Sequence, residues 1–155
     1  MPLLPLIKQA IENNQGYAQQ YDVHFQLQAD PPDCLINVDS SRFIQILTNL
    51  LSNAAKFSFK GDSIEIEILR QGTRITISVI DHGSGIPEEY RSRIFDKFSQ
   101  ADSSDTRSKG GTGLGLNIAK VMAEKMGGTL DYESTPGIGT RFFVSFPVSQ
   151  AETEK

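Results

Sequence analysis

From Ile64 onward the chain alternates with period two: "IEIEI" at 64–68, a turn at Gln71-Gly72, then "ITISV" at 75–79. Successive side chains of a strand point to opposite faces, so this pattern predicts a β-hairpin with Ile64, Ile66, Ile68, Ile75, Ile77 and Val79 on one apolar face. Such a face must be buried against a second layer. The hairpin therefore commits the chain to a sheet with something packed on one side of it.

The helical periodicities supply that layer. Leu4, Ile7, Ile11 and Ala18, with Leu3, Ala10 and Tyr17 alongside, recur at helical spacing, and the first twenty residues read as one amphipathic helix. Asp39 is an N-cap for a long helix through "SSRFIQILTNLLSNAAKF", whose Phe43, Leu47, Leu50, Leu51 and Ala54 form the burying face. A third helix runs from Leu114 to about Met126 and stops at Gly127-Gly128. "VHFQLQ" and "CLINV" flank the turn "ADPPD" and read as a strand pair, and "TLDYES" and "TRFFVSFPV" as another around "TPGIG". Three hairpins without strict βα alternation predict an α/β (α+β) two-layer sandwich: a mixed, largely antiparallel sheet with helices on one face. Between Asp81 and Leu114 lie the loop "DHGSGIP", a short helix around "EEYRSRIF" and the polar run "SQADSSDTRSK". A loop of about fifteen residues is uncommon unless functional.

At 155 residues, 38% hydrophobic and 22% charged, the chain reads as one globular domain over residues 1–150 with a frayed tail at 151–155. A formal net charge of -4 argues against nucleic acid or an anionic membrane as a partner. No apolar run approaches the roughly 18 residues that span a bilayer, and "MPLLPLIKQAIENN" lacks a basic leader. The one cysteine, Cys34, excludes an internal disulfide framework and reads as a small buried side chain in a strand, compatible with the cytoplasm. Because the sequence starts almost directly in a helical pattern, it reads as a piece of a longer protein.

Three constellations carry chemistry. Asn49, Asn53 and Lys56 stand at i, i+4 and i+7 of the long helix, within an arc of about 60°. They are either a solvated face or a site, and two mid-helix asparagines cost helix propensity without return on an exposed face. Amide oxygens can coordinate Mg²⁺ and a lysine can pair with phosphate. Asp81 falls, by strict alternation, on the apolar face of its strand. It either caps the following turn or serves as an acceptor at a pocket floor, suited to an exocyclic amino group such as that of adenine. Gly83 and Gly85 would let the backbone approach a flat base, and Pro87 would open the next helix. In "GGTGLGL" at 110–116, glycine amides at the start of a helix can face an anion. It is not a P-loop, since Lys109 precedes the glycines, nor a dinucleotide fingerprint, since no strand leads in and Leu116 or Asn117 stands where glycine is required.

Together these segments resemble a known set. "NLLSNAAK" is similar to the N box, "DHGSGIP" to the G1 box, "IFDKFSQ" to the F box, "GGTGLGL" to the G2 box and "GIGTRF" to a G3-like motif of the ATP-binding catalytic domain of two-component sensor histidine kinases. Their order and spacing match over residues 40–146. The resemblance implies the Bergerat-type ATP-binding fold, with ATP and Mg²⁺ as cofactors. It implies Asn53 as the metal ligand, Asn49 beside metal and phosphates, and Lys56 on phosphate. Asp81 would take adenine N6, with Gly83, Gly85 and Ile86 lining the base and Thr140 near it. Gly111, Thr112, Gly113, Leu114, Gly115 and Leu116 would form the hinge and phosphate-facing end of a lid, whose Arg107 and Lys109 suit the γ-phosphate. Arg107 and Lys109 can equally be solvated loop charges, and Phe95 and Phe98 anchor the lid by packing.

Asn49 stands where the hydrolytic members of the superfamily carry a glutamate, and an amide cannot act as general base on water. The expected output is phosphoryl transfer from ATP to a histidine brought from elsewhere. His24 and His82 are read as structural or solvent-facing, so the acceptor would lie on a dimerisation domain outside this sequence, and the chain alone would bind ATP without autophosphorylating. A response-regulator receiver domain is the implied downstream partner, in a cytoplasmic setting with no membrane contact by this domain. The alternative on the same fold is an anti-sigma-type serine kinase or a nucleotide-binding switch without chemistry.

Overall fold

The structure, a computed structural model, describes residues 2–83, 114–135 and 137–148. Its core is a five-stranded sheet in which β1 (His24–Leu27), β2 (Ser63–Gln71), β3 (Arg74–Asp81), β4 (Thr129–Thr135) and β5 (Gly139–Pro147) lie in the order β1-β2-β3-β5-β4. The β2–β3 hairpin forms as expected, antiparallel, with Ile66 opposite Val79 and Ile68 opposite Ile77. β3 pairs with β5 and β5 with β4, both antiparallel, while β1 joins β2 in parallel. The sheet is thus mixed and largely antiparallel.

One face is apolar over most of its length. Ile64, Ile66 and Ile68 of β2, Ile75, Ile77 and Val79 of β3, and Phe142, Val144 and Phe146 of β5 are all buried. Against them packs α3 (Ser40–Phe57), which buries Phe43, Ile46, Leu47, Leu50, Leu51, Ala54 and Ala55. The Phe43 and Phe146 rings meet at 5.7 Å between centroids, tilted by 58°. α3 begins where the sequence indicated: the Asp39 side chain accepts from the Arg42 N–H at 3.1 Å. α4 (Leu114–Lys125) adds Leu116, Ala119, Met122 and Ala123 to the core. It ends in a glycine stop, with Gly127 at φ 84 and the Gly128 N–H donating to Ala123 O at 2.8 Å.

Three expectations are corrected. The first twenty residues form two helices, α1 (Leu3–Asn13) and α2 (Gln15–Tyr21). Buried Asn14 divides them, its Nδ2 donating to Ala10 O at 2.7 Å and to Thr48 Oγ1 of α3 at 3.1 Å. An asparagine that satisfies its amide this way leaves the helical path. Second, "CLINV" does not pair with β1. Asp33 Oδ1 accepts from the Leu4 and Cys34 N–H groups, and Leu3 N–H donates to Cys34 O at 2.9 Å, so the start of α1 captures this segment. It makes only the isolated bridges Pro2 to Leu35 and Ile36 to Val148. β1 instead sets Phe25 and Leu27 beside Ile64 and Ile66, and the ladder continues as Gln28 Oε1 accepts from the Ile68 N–H. Third, Cys34 is buried as expected but lies outside any strand.

Among the described residues no helix is long and apolar enough to cross a membrane. The short helix at 88–95, the polar run and the tail at 151–155 lie outside the described residues.

Candidate functional site

Asp81 ends β3 on the inner face, 2% exposed, in line with fully buried Ile75, Ile77 and Val79. Its Oδ1 accepts two backbone N–H groups, from Gly83 at 3.0 Å and from Thr140 at 3.2 Å. Its Oδ2 is buried with no hydrogen-bond partner among the described residues. Burial pushes the carboxyl above the ordinary carboxylate range, and the two backbone N–H groups offset that only in part. A turn cap would need only Oδ1. An orphaned carboxylate oxygen on an apolar floor is a group that a donating ligand can satisfy.

Backbone approaches too close for a side chain frame that oxygen. A Cβ on Gly83 would overlap the Phe57 carbonyl oxygen and come within 3.0 Å of Ser58 Cα, and one on Gly139 would overlap the Asp81 carbonyl. The Gly83 contact seats the C-terminal end of α3 against the end of β3. Asn53 and Lys56 lie in the last turns of the same helix.

On α3, Asn53 is 8% exposed and donates through Nδ2 to Asn49 O at 2.7 Å. That bond fixes the amide so that Oδ1 remains as its acceptor end, a hard oxygen of the kind Mg²⁺ takes. No cluster of three or more His, Cys, Asp or Glu able to hold a metal occurs among the described residues. An ion here would rest on Asn53 and on oxygens of a bound phosphate, which this donor set fits. Asn49 is half-buried one turn earlier, and Lys56 Nζ lies 5.5 Å above the Phe57 ring centroid.

Thr140 is buried opposite Asp81 across the β3–β5 ladder. Of the remaining expected residues, Leu116 packs into the hydrophobic core, and Leu114 and Gly115 stand in the first turn of α4. Gly85, Ile86, Arg107, Lys109, Gly111, Thr112 and Gly113, with Phe95 and Phe98, lie outside the described residues. His24 is exposed at the start of β1, and half-exposed His82 donates its Nδ1–H to Ser63 O at 3.2 Å, with Glu65 3.6 Å from Nε2. The sequence reading missed Ser134, whose Oγ stands 3.0 Å from Thr140 Oγ1. Its signal was the same alternation that exposed Asp81, since Ser134 follows Leu130 and Tyr132 on the inner face.

Comparison with known proteins identifies the family. Residues 38–150 match the family described as histidine kinase-, DNA gyrase B-, and HSP90-like ATPase. The chain is 40% identical over 144 residues to the sensor protein GacS of Pseudomonas syringae pv. syringae, covering 90% of this chain and 16% of that protein. It is 40% identical over 143 residues to the sensor histidine kinase YkoH of Bacillus subtilis, covering 92% and 31%. The catalytic domain of histidine kinase ThkA superposes with a TM-score of 0.80 at 26% identity, covering 98% of this chain and 97% of that one. The chain thus spans under a third of the length of these two curated relatives.

Proposed function

Since the chain belongs to the histidine kinase-, DNA gyrase B- and HSP90-like ATPase family, in which its relatives are sensor histidine kinases, we propose that it binds Mg-ATP and hands the γ-phosphoryl group to a histidine on a separate dimerisation domain. The observation that carries the reading is Asp81, a buried carboxylate whose Oδ2 lacks a partner on an otherwise apolar floor. Adenine N6 supplies the donor that oxygen lacks. Thr140 stands beside the base, and Gly83 and Gly139, by having no side chain, let the main chain close up around Asp81.

At the other end Asn53 Oδ1 and Asn49 face the phosphates and Lys56 neutralises them, with Arg107, Lys109 and the glycines of 111–115 closing from the lid. Mg²⁺, when bound, screens the charge that gathers on the β- and γ-phosphate oxygens. Leu116, buried in the core at the start of α4, ties that end of the lid to the domain. Asn49 has no basic lone pair to deprotonate water near neutral pH, so the γ-phosphoryl waits for a better nucleophile. Phosphoryl transfer asks the protein mainly for alignment and charge stabilisation, which this arrangement supplies. The acceptor imidazole comes from the dimerisation domain, and a receiver domain takes the group from it. ATP as substrate and the reduced Cys34 fit a cytoplasmic setting.

The experiment mixes this chain with the dimerisation domain of a sensor kinase and labelled ATP. Acid-labile label on the histidine domain is the expected result. Absence of transfer to every kinase-derived acceptor, or acid-stable label on serine, would overturn the reading.

A further inference from the structure

The two ladders that flank β3 stop at different levels near the orphaned oxygen. On one side the ladder to β5 runs through to Asp81 and Thr140, but on the other the ladder to β2 ends at Glu65 and Ile80. By the same register the next rung would join His82 to Ser63. Ser63 O, the acceptor that rung would use, instead meets the His82 ring, whose Nδ1 lies 3.2 Å away. A carbonyl oxygen can only accept, so the direction of this bond is fixed and Nδ1 carries the hydrogen. Nε2 lies 3.6 Å from Glu65 of the same strand, and both ring nitrogens therefore face β2.

Residue 82 stands between the Asp81 carboxylate and the Gly83 N–H that Oδ1 accepts at 3.0 Å, so its torsions set how those two groups meet. Main chain closes on this turn from two other sides, the Phe57 carbonyl against Gly83 and Gly139 against the Asp81 carbonyl and His82 Cα. We infer that His82 is a positioning residue for the Asp81 carboxylate: its imidazole replaces the missing rung between β2 and β3 and so holds the turn from which Oδ2 meets the base. The inference rests on the proposed role of Asp81 as the base receptor. Released from Ser63 O, the turn gains freedom to rotate about residue 82. The carboxylate then spends part of its time aimed away from the base, and affinity falls by the fraction lost.

The test measures amide exchange by NMR and calorimetric affinity for ADP in the 155-residue chain, as wild type, His82→Ala, His82→Asn and Asp81→Asn. His82→Ala is expected to speed exchange at the Gly83 N–H and to weaken ADP, each about fivefold, the scale of one lost hydrogen bond, while Ile77 in the middle of β3 exchanges as in wild type. His82→Asn puts an amide N–H where Nδ1–H stood and is expected to restore both. Unchanged Gly83 exchange in His82→Ala overturns the inference, and so does a loss that spreads equally to Ile77 and is not restored by His82→Asn. Asp81→Asn separates the two levels. If it weakens ADP while His82→Ala binds as wild type, His82 alone is misassigned; if it leaves ADP affinity unchanged, the base-receptor reading falls and this inference with it.

Discussion

Gly83→Ala tests the joint between the two halves of the site. The added methyl would overlap the Phe57 carbonyl oxygen and sit 2.8 Å from its carbon. Carbon atoms rest at roughly 3.5–4.0 Å, so the gap must open by about 0.7 Å or more. Nothing flexible can yield, because both partners are main chain: the end of α3 on one side, the residue after β3 on the other. Overpacking typically costs about 1–3 kcal/mol, and a backbone-on-backbone clash belongs at the upper end. For a chain of this size about 3 kcal/mol corresponds to roughly 6–12 °C in melting temperature. The same displacement moves the Gly83 N–H away from Asp81 Oδ1, 3.0 Å apart in the native packing, so nucleotide affinity should fall together with stability. Circular-dichroism melts and calorimetric titration with ADP read the two effects. A variant that melts within about 2 °C of wild type and binds ADP normally would refute the claim that this contact holds the site together.

The remaining expectations concern single groups. Asp81→Asn should cost most of the affinity for ATP, measured by calorimetry at neutral pH; undiminished binding sinks the base-receptor role. Because burial raises the folded-state pKa of Asp81 above its ordinary 3.8, its contribution to stability is greatest below that value and is lost as pH rises through the folded pKa. Urea midpoints of wild type relative to Asp81→Asn should therefore decline as pH rises from about 4 and then level off; a difference that grows with pH contradicts the sign. Asn53→Ala should weaken ATP binding in Mg²⁺ roughly tenfold and metal-free binding much less, and equal losses would remove Asn53 as the ligand. Asp39→Ala should lower stability by about 1 kcal/mol in urea unfolding while leaving nucleotide binding intact.

What the sequence made legible was local. Alternation placed Ile75, Ile77 and Val79 inward and carried Asp81 with them, and the Asp39 cap and the Gly127-Gly128 stop bounded their helices as read. The misreadings all turn on partners distant in sequence. Asn14 breaks the first helix because Thr48 is there to receive its amide, and Asp33 holds its segment through Leu4 rather than through a neighbouring strand. No window of sequence around Asn14 or Asp33 contains those partners. Ser134 escaped for another reason: a lone serine in an alternating strand is unremarkable until the register sets it beside Thr140.

The parallel pairing of β1 with β2 means that the chain must cross over between them, and α3 lies on that crossover. The helix bearing Asn49, Asn53 and Lys56 is therefore moored to the sheet at both ends. It cannot slide along its axis without dragging a strand. If α3 receives the phosphates and Asp81 the base, as proposed, the two ends of the site are set at a fixed spacing when the chain folds, before any nucleotide arrives, and the ordering entropy that a looser arrangement would charge against affinity is already met. A ligand entering such a site finds a gauge of set length, against which a nucleotide with a longer or shorter span between base and phosphate would be measured and refused.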